Sequence, residues 1–374
     1  MEKVASGFLP TYFSTVAKCS GNLFMTNYDS HRFGRPKLKQ RISDFALPLV
    51  GVLNRVARHD TGSHRQSLAL VGPHLAELEW LYQNLADEES RSILVQILAY
   101  RALGRRKVKL PANNANYWTA VRQAENQAKN TEMIALGFND WQAHKVSLNS
   151  IGYPVTLFAR PSTVVSQFVL QQYLCRTDWG SIAAKRGDTV IDGGGCYGDT
   201  ALYFACRVGA EGKIYSFEFA PNNLKILHRN LAFNPHAADR ISVVEQALWS
   251  KSGEQLPVDI DGPATRVGST ESNQTARVAS ITLDDFVRAE GTRKIDFIKM
   301  DIEGAELSAL QGAKETLRSF RPDLAIAVYH SLPDFWRIPQ YLDELGLGYR
   351  FHLRHSTIHQ EETVLFASSG SRFS

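Results

Sequence analysis

Short apolar runs separated by polar turns set the rhythm of the second half of the chain. From residue 180 onward the pattern predicts strands at 188–193, 213–219, 241–246, 295–301, 323–329, 349–354 and 362–367. Amphipathic stretches with helical spacing fall between them, at 198–208, 221–233, 282–289, 304–320 and 334–345. This alternation predicts a mostly parallel sheet with helices on both faces. Residues 356–361, the link between the last two strands, are too few for a crossover helix, so those strands should pair antiparallel at one edge. The expected fold class is therefore α/β, a Rossmann-like seven-stranded sheet with an antiparallel last strand.

The first half reads differently. Residues 1–65 are mixed, and Arg32, Arg35, Lys37, Lys39 and Arg41 form a basic run expected to be a solvated, partly ordered arm. From Leu68 the pattern turns helical, with Leu75, Leu78, Tyr82 and Leu85 on one face. Asp87 is placed to cap a second helix carrying Ile93, Leu94, Ile97 and Leu98, and Gly104 offers its stop. A further helix is expected near 115–130, a β-hairpin over 145–149 and 155–159, and a helix over 164–174. The division that results is an arm (1–65), a mainly helical accessory region on the substrate side (66–179) and a catalytic domain (180–374).

Composition narrows the class. With 44% hydrophobic and 21% charged residues the chain resembles an ordinary soluble protein, and its net charge of +4 is too small to argue for nucleic acid. Cys19, Cys175, Cys196 and Cys206 have neither disulfide-framework nor zinc spacing, which fits a reducing cytoplasm. The longest apolar stretch, residues 45–53, is broken by Pro48 and is too short to span a bilayer. The N-terminus does not read as a signal peptide. Oligomeric state is left open, with a homo-oligomer allowed.

The densest chemistry lies where Val190 and Ile191 run into Asp192, Gly193, Gly194 and Gly195, with Gly198 before the next helix. Glycines allow a sharp turn and close approach of a ligand, and the helix start offers unpaired N–H groups. Gly193, Gly195 and Gly198 also satisfy a dinucleotide fingerprint, so an NAD-type oxidoreductase is a rival reading. Asp192 tilts the choice: a carboxylate would repel a pyrophosphate but attract the amino group and sulfonium of S-adenosylmethionine. Glu218, ending the second strand, suits the ribose hydroxyls of either cofactor. Asp301 and Glu303 end the apolar strand 295–301, facing the cofactor's methyl or the acceptor, while Glu306 reads as a charge at a helix start. His330 follows a wholly apolar strand and is a candidate general base, with Asp301 the alternative base or its orienting carboxylate. His352, His355 and His359 look like metal ligands only superficially, because strand geometry separates the first two, and no metal is expected.

The segments VIDGGGCYGDTALYFA (190–205), YSFEFAPNNLKILHRNL (215–231), DFIKMDIEGAEL (296–307), LAIAVYHSLPDFW (324–336) and EETVLFA (361–367) together resemble the FkbM family of S-adenosylmethionine-dependent methyltransferases. LYQNLADEESRSILVQILAYRALG (81–104) is similar to the region upstream of the domain in bacterial members. The resemblance implies a class I methyltransferase fold and O-methylation of a hydroxyl, often on a sugar or polyketide. Carried over by position, Asp192, Gly193, Gly194 and Gly195 would hold the methionine part of the cofactor and Glu218 its ribose. Asp301 and Glu303 fall in the family's KMDIEGAE-like segment. The expected enzyme is thus an O-methyltransferase acting on a sugar-like hydroxyl, with a non-catalytic cofactor-binding scaffold as a further alternative.

Overall fold

A computed structural model describes residues 7–24, 27–33, 61–138, 140–267 and 276–370. Most of the expected basic arm (Arg35, Lys37, Lys39, Arg41) and the apolar stretch 45–53 lie outside the described residues.

Seven strands make the central sheet: β6 (Thr189–Gly193), β7 (Lys213–Phe217), β8 (Ile241–Val244), β13 (Phe297–Met300), β14 (Asp323–Ala327), β15 (Arg350–His355) and β16 (Thr363–Ser368). Their spatial order is β15-β16-β14-β13-β6-β7-β8. The pairs β14/β13, β13/β6, β6/β7 and β7/β8 are parallel, whereas β16 runs antiparallel between β14 and β15. An antiparallel strand inserted next to the edge of a parallel sheet is the class I methyltransferase arrangement. It follows from the short 356–361 link, which can only turn the chain back.

β6, β13, β14 and β16 are buried on both faces, and the pleat sorts their residues. Ile191, Ile298, Met300, Leu324, Ile326 and Leu365 enter one core; Val190, Phe297, Ala325, Val364 and Phe366 enter the other. The first core is covered by helices that include α1 (Phe8–Ser20), α2 (Thr61–Val71), α3 (Leu75–Asn84) and α4 (Glu88–Leu103). Within the stretch read from sequence as an arm, α1 is thus a packed helix. Phe8, Tyr12 and Val16, one turn apart, are all fully buried. Asp87 caps α4 by accepting from the Ser90 backbone N–H at 2.7 Å, as its position foretells. Its other oxygen meets His352 Nδ1 at 2.7 Å and Arg354 at 2.9 Å, tying α4 to β15.

The opposite face receives α5 (Ala115–Ala128) and a small sheet of β1 (Met133–Ala135), β2 (Gln142–Ser147) and β3 (Thr156–Ala159). The expected hairpin is β2/β3, with β1 as an unforeseen third strand. The helix expected over 164–174 is instead a π-helical turn, Val164–Val169, after which Gln171 takes φ +52 and ends it. The segment leads to the short β4 (Cys175–Thr177) and β5 (Gly180–Ile182) pair. A second departure is an inserted four-stranded sheet, β11-β10-β12-β9, built from Ala247–Leu248, Gln255–Asp259, Arg266–Val267 and Arg277–Ile281. Phe219, two residues past the end of β7, packs against this sheet's core of Ala247, Leu256, Val258 and Val278. Among the described residues no helix is long and apolar enough to cross a membrane.

Candidate active site

The carboxyl ends of β6, β7, β13 and β14 converge on one cleft, the place where doubly wound sheets receive ligands. The turn after β6 is forced by close packing. A Cβ on Gly194, whose φ is +82, would stand 2.0 Å from the Asp301 carbonyl oxygen, and one on Gly195 would stand 2.2 Å from Ser216 Oγ. Glycine is required there because the neighbouring strands already fill the space a side chain would need.

Asp192 does not face the cleft. It is fully buried, and its Oδ2 accepts from Thr200 Oγ1 at 2.8 Å and Ser216 Oγ at 3.0 Å. Its Oδ1 lies 3.1 Å from the ammonium of Lys299, which is 1% exposed. Lys299 also donates to the carbonyls of Gly193 (2.9 Å) and Gly194 (2.6 Å). Burial alone would lower this ammonium's pKa, but Asp192 and Asp301 beside it carry it above the ordinary lysine range. The carboxylate expected to attract a cationic cofactor is therefore neutralised from within. Asp192 and Lys299 form a strut beneath the glycine turn.

Glu218 does line the cleft, together with Phe217, Phe219, Asn223 and, from the inserted sheet, Thr265 and Val267. Its Oε1 accepts from the backbone N–H groups of Phe219 and Ala220, both at 2.7 Å, and its Oε2 accepts from Asn223 at 3.2 Å. Burial pushes its carboxyl up despite these bonds. A carboxylate offers about four lone-pair sites. The Cys196 backbone N–H also stabilises the charged form, so a ligand hydroxyl would share these sites with the protein's own donors.

A second, wider lobe of 370 Å³ opens beside the first, lined in part by Arg32, Trp141, Arg160, Gln167, Tyr173 and Glu362. Gly194, Cys196, Pro263, Asp301 and Glu303 line both lobes and mark where they meet. Two of these, Cys196 (φ +44) and Glu303 (φ +57), hold left-handed backbone uncommon outside glycine. Asp301 accepts from Tyr173 Oη at 3.1 Å on one oxygen and from Tyr329 Oη at 3.0 Å on the other. Burial raises its pKa against the pull of His330 and Lys299.

His330 sits behind Asp301 rather than in the cleft lining. Its Nε2 is 3.4 Å from Asp301 and 3.5 Å from Glu303, and its Nδ1 is 3.0 Å from Glu306. Burial would lower the pKa of the ring, but Glu306, Glu303 and Asp301 raise it to about 11. An imidazolium that keeps its proton through neutral pH has no lone pair to take another. This geometry disfavours the base role expected for His330 and makes the ring a counter-ion to three carboxylates. Among the described residues, Asp301, Glu306 and His330 also come within the 4.8 Å at which ligand atoms could share a metal. Yet the two carboxylates address opposite ring nitrogens, which fits ion pairing better than shared coordination. The three histidines that superficially resemble metal ligands each have their own partner: His352 with Asp87, His355 with Thr363, His359 with Tyr100.

Residues 188–351 match the family model described as the Methyltransferase FkbM domain. These residues form an FkbM methyltransferase domain. The match begins just before β6, ends in β15 and so contains Asp192, Glu218, Asp301 and His330. The chain is 27% identical over 148 residues to the hexuronic acid methyltransferase AglP of Haloferax volcanii, a match that covers 38% of this chain and 58% of that protein. It is 26% identical over 187 residues to methyltransferase sdnD of Sordaria araneosa, covering 41% of this chain and 71% of that one. The crystal structure of methyltransferase FkbM from Methylobacillus flagellatus KT superposes with a TM-score of 0.49 at 19% identity, covering 80% of this chain and 60% of the other. The chain thus spans under two thirds of AglP and of that crystallised protein.

Sequence reasoning overlooked Lys299, Tyr173 and the inserted sheet around the FkbM cleft. For Lys299 the signal was present: a lysine amid Phe297, Ile298 and Met300 in a strand buried on both faces must have a buried partner.

Proposed function

We propose that the protein is an S-adenosylmethionine-dependent O-methyltransferase whose acceptor is a sugar hydroxyl. The observation that carries this reading is the two-lobed cleft, with Glu218 in one lobe and Asp301 and Glu303 at the junction. Glu218 would hold the ribose, and the turn through Gly193, Gly194 and Gly195 the methionine part, with Asp192 acting through Lys299. The cofactor, when bound, supplies the methyl group for an in-line displacement. The chain's task is then to orient the acceptor oxygen and to accept its proton.

Asp301 is the better candidate for that proton. It lines both lobes, its pKa is raised, and Tyr173 and Tyr329 fix both carboxylate oxygens. A sugar acceptor is supported by the polar side chains Arg160, Ser166 and Gln167, which line the wider lobe beside the Trp141 ring. Gln167 is 3% exposed, and its Nε2 has no hydrogen-bond partner among the described residues. An unmatched buried amide N–H costs roughly 1–3 kcal/mol, which a ligand hydroxyl would recover. The hexuronic acid methyltransferase among the relatives points the same way.

Calorimetric titration with S-adenosylhomocysteine and with NAD, followed by methyl transfer from labelled S-adenosylmethionine to a panel of sugars, tests the proposal. Binding of NAD alone would support the oxidoreductase alternative. Cofactor binding without transfer to any acceptor would support the scaffold.

A further inference from the structure

Next to the acceptor lobe lies a separate cavity of 290 Å³, and Gln172 and Glu362 line both spaces. These two side chains form the shared wall. Gln172 Nε2 donates to Glu362 Oε2 at 2.7 Å, and Arg32 pairs with the other carboxylate oxygen. Gln172 is 8% exposed, yet its Oε1 has no hydrogen-bond partner among the described residues. Glu362 holds a left-handed φ of +66, the kind of strained backbone that recurs at ligand-binding positions.

The chemistry of this cavity is specific. Asn114, Asn116 and Gln171 line it with amides, and Ser356 adds a buried hydroxyl that also lacks a hydrogen-bond partner among the described residues. Its cations are already engaged: Arg354 is shared between Asp87 at 2.9 Å and Glu89 at 3.3 Å, and Arg32 pairs with Glu362. Leu170 and Leu174 supply an apolar flank. Amides, hydroxyls and an apolar flank, with the lining charges already paired, suit a ring that carries hydroxyls on its rim and C–H groups on its face. They suit neither a phosphate nor a metal ion.

We infer that this cavity is a second acceptor subsite, taking the neighbouring ring of a saccharide whose terminal ring occupies the wider lobe. Gln172 Oε1 accepts a hydroxyl of that saccharide at the shared wall. The inference rests on the sugar-acceptor reading above and adds acceptor length to it. Adjacent cavities with a common side-chain wall fit two rings joined by one glycosidic bond.

The test compares free hexoses and hexuronic acids with their β-linked disaccharides as acceptors, in the full chain and in Asn116→Trp. Asn116 is exposed on the first turn of α5, so a tryptophan there fills the cavity without entering a core. Gln172→Met, nearly isosteric, removes the wall acceptor as a second variant. The wild type should use a disaccharide with kcat/KM at least tenfold above its monosaccharide. Asn116→Trp should bring that ratio near one, with monosaccharide turnover and S-adenosylhomocysteine affinity unchanged, and Gln172→Met should lower it. Equal use of both lengths by the wild type, or equal loss of both in Asn116→Trp, would overturn the subsite alone. Methyl transfer to a non-sugar alcohol but to no saccharide would overturn the sugar reading, and the subsite with it.

Discussion

Replacing Lys299 by methionine tests whether the strut beneath the glycine turn holds the cofactor site together. The substitution keeps much of the side-chain volume but deletes a cation that is 1% exposed and lies 3.1 Å from Asp192. It leaves Asp192, fully buried, as a charge with only Thr200 and Ser216 as donors. Breaking a buried pair from one side typically costs about 3–5 kcal/mol. Unfolding entropy scales at about 2.1 cal/mol/K per residue, so for a chain of 374 residues that loss lowers Tm by about 4–6 °C. The carbonyls of Gly193 and Gly194 lose a charged donor as well, so S-adenosylhomocysteine affinity should fall, by about tenfold or more for a lost bond of about 1.5–3 kcal/mol. Thermal melting and calorimetry read the two effects separately. Asp192→Asn in the same chain removes the stranded charge, so the double variant should melt above Lys299→Met. A Tm within 1 °C of wild type with unchanged affinity, or strictly additive losses in the double variant, would refute the strut.

Glu218→Ala should leave the fold intact and weaken S-adenosylhomocysteine binding by about tenfold or more, the value of one charge-assisted hydrogen bond of about 1.5–3 kcal/mol; unchanged calorimetric affinity would remove Glu218 from the cofactor site. His330→Gln should destabilise the protein, since Asp301, Glu303 and Glu306 lose their common cation. Because the folded pKa of His330 is raised to about 11, its contribution is complete below the ordinary histidine value of about 6.5 and fades as pH rises toward 11. The wild-type advantage in Tm should therefore be larger at pH 7 than at pH 10, and a gap that widens with pH contradicts the counter-ion role. Turnover should survive EDTA, because the ion-paired His330 already balances these carboxylates; loss restored by magnesium would make Asp301 a metal ligand.

The middle of the central sheet was legible because β6, β13 and β14 are buried on both faces and so read as largely apolar runs between turns. The boundaries of β6, β7, β13 and β14 fall within two residues of the pattern. The inserted sheet was not legible because β9 and β11 are only two residues long, too short for alternation to register. At Val164–Phe168 all five residues are buried, a helix-like signal that does not distinguish an α-helix from the wider π-turn. The helix α1 was hidden by its neighbours' mixed composition, although Phe8, Tyr12 and Val16 carry the helical spacing. The position of Glu218 and Asp301 in the cleft lining was legible because both follow directly on strands, where topology places residues at the cleft. Asp192 ends a strand too, but its partner Lys299 lies on β13, and sequence displays a charge without displaying what neutralises it.

That neutralisation changes the argument for a cationic cofactor without removing it. With Asp192 paired internally, the charge that a ligand meets at the junction of the lobes comes from Asp301 and Glu303. His330 and Lys299 balance these two from behind, and both cations are nearly buried. A pyrophosphate laid along the turn would face the Glu303 carboxylate, while Lys299 is committed to the Gly193 and Gly194 carbonyls and to Asp192. A cofactor with a sulfonium would meet carboxylates at the junction and no phosphate repulsion. It would also leave Asp301 between the positive centre and the acceptor lobe, where a group with a raised pKa can take a proton as a hydroxyl loses it. On this reading the preference for S-adenosylmethionine over NAD rests on Glu303 and Asp301, and exchanging Glu303 for glutamine should cost S-adenosylmethionine affinity more than S-adenosylhomocysteine affinity, because only the former carries the sulfonium charge. Equal losses for the two ligands, measured side by side by calorimetry, would show that Glu303 does not sense that charge.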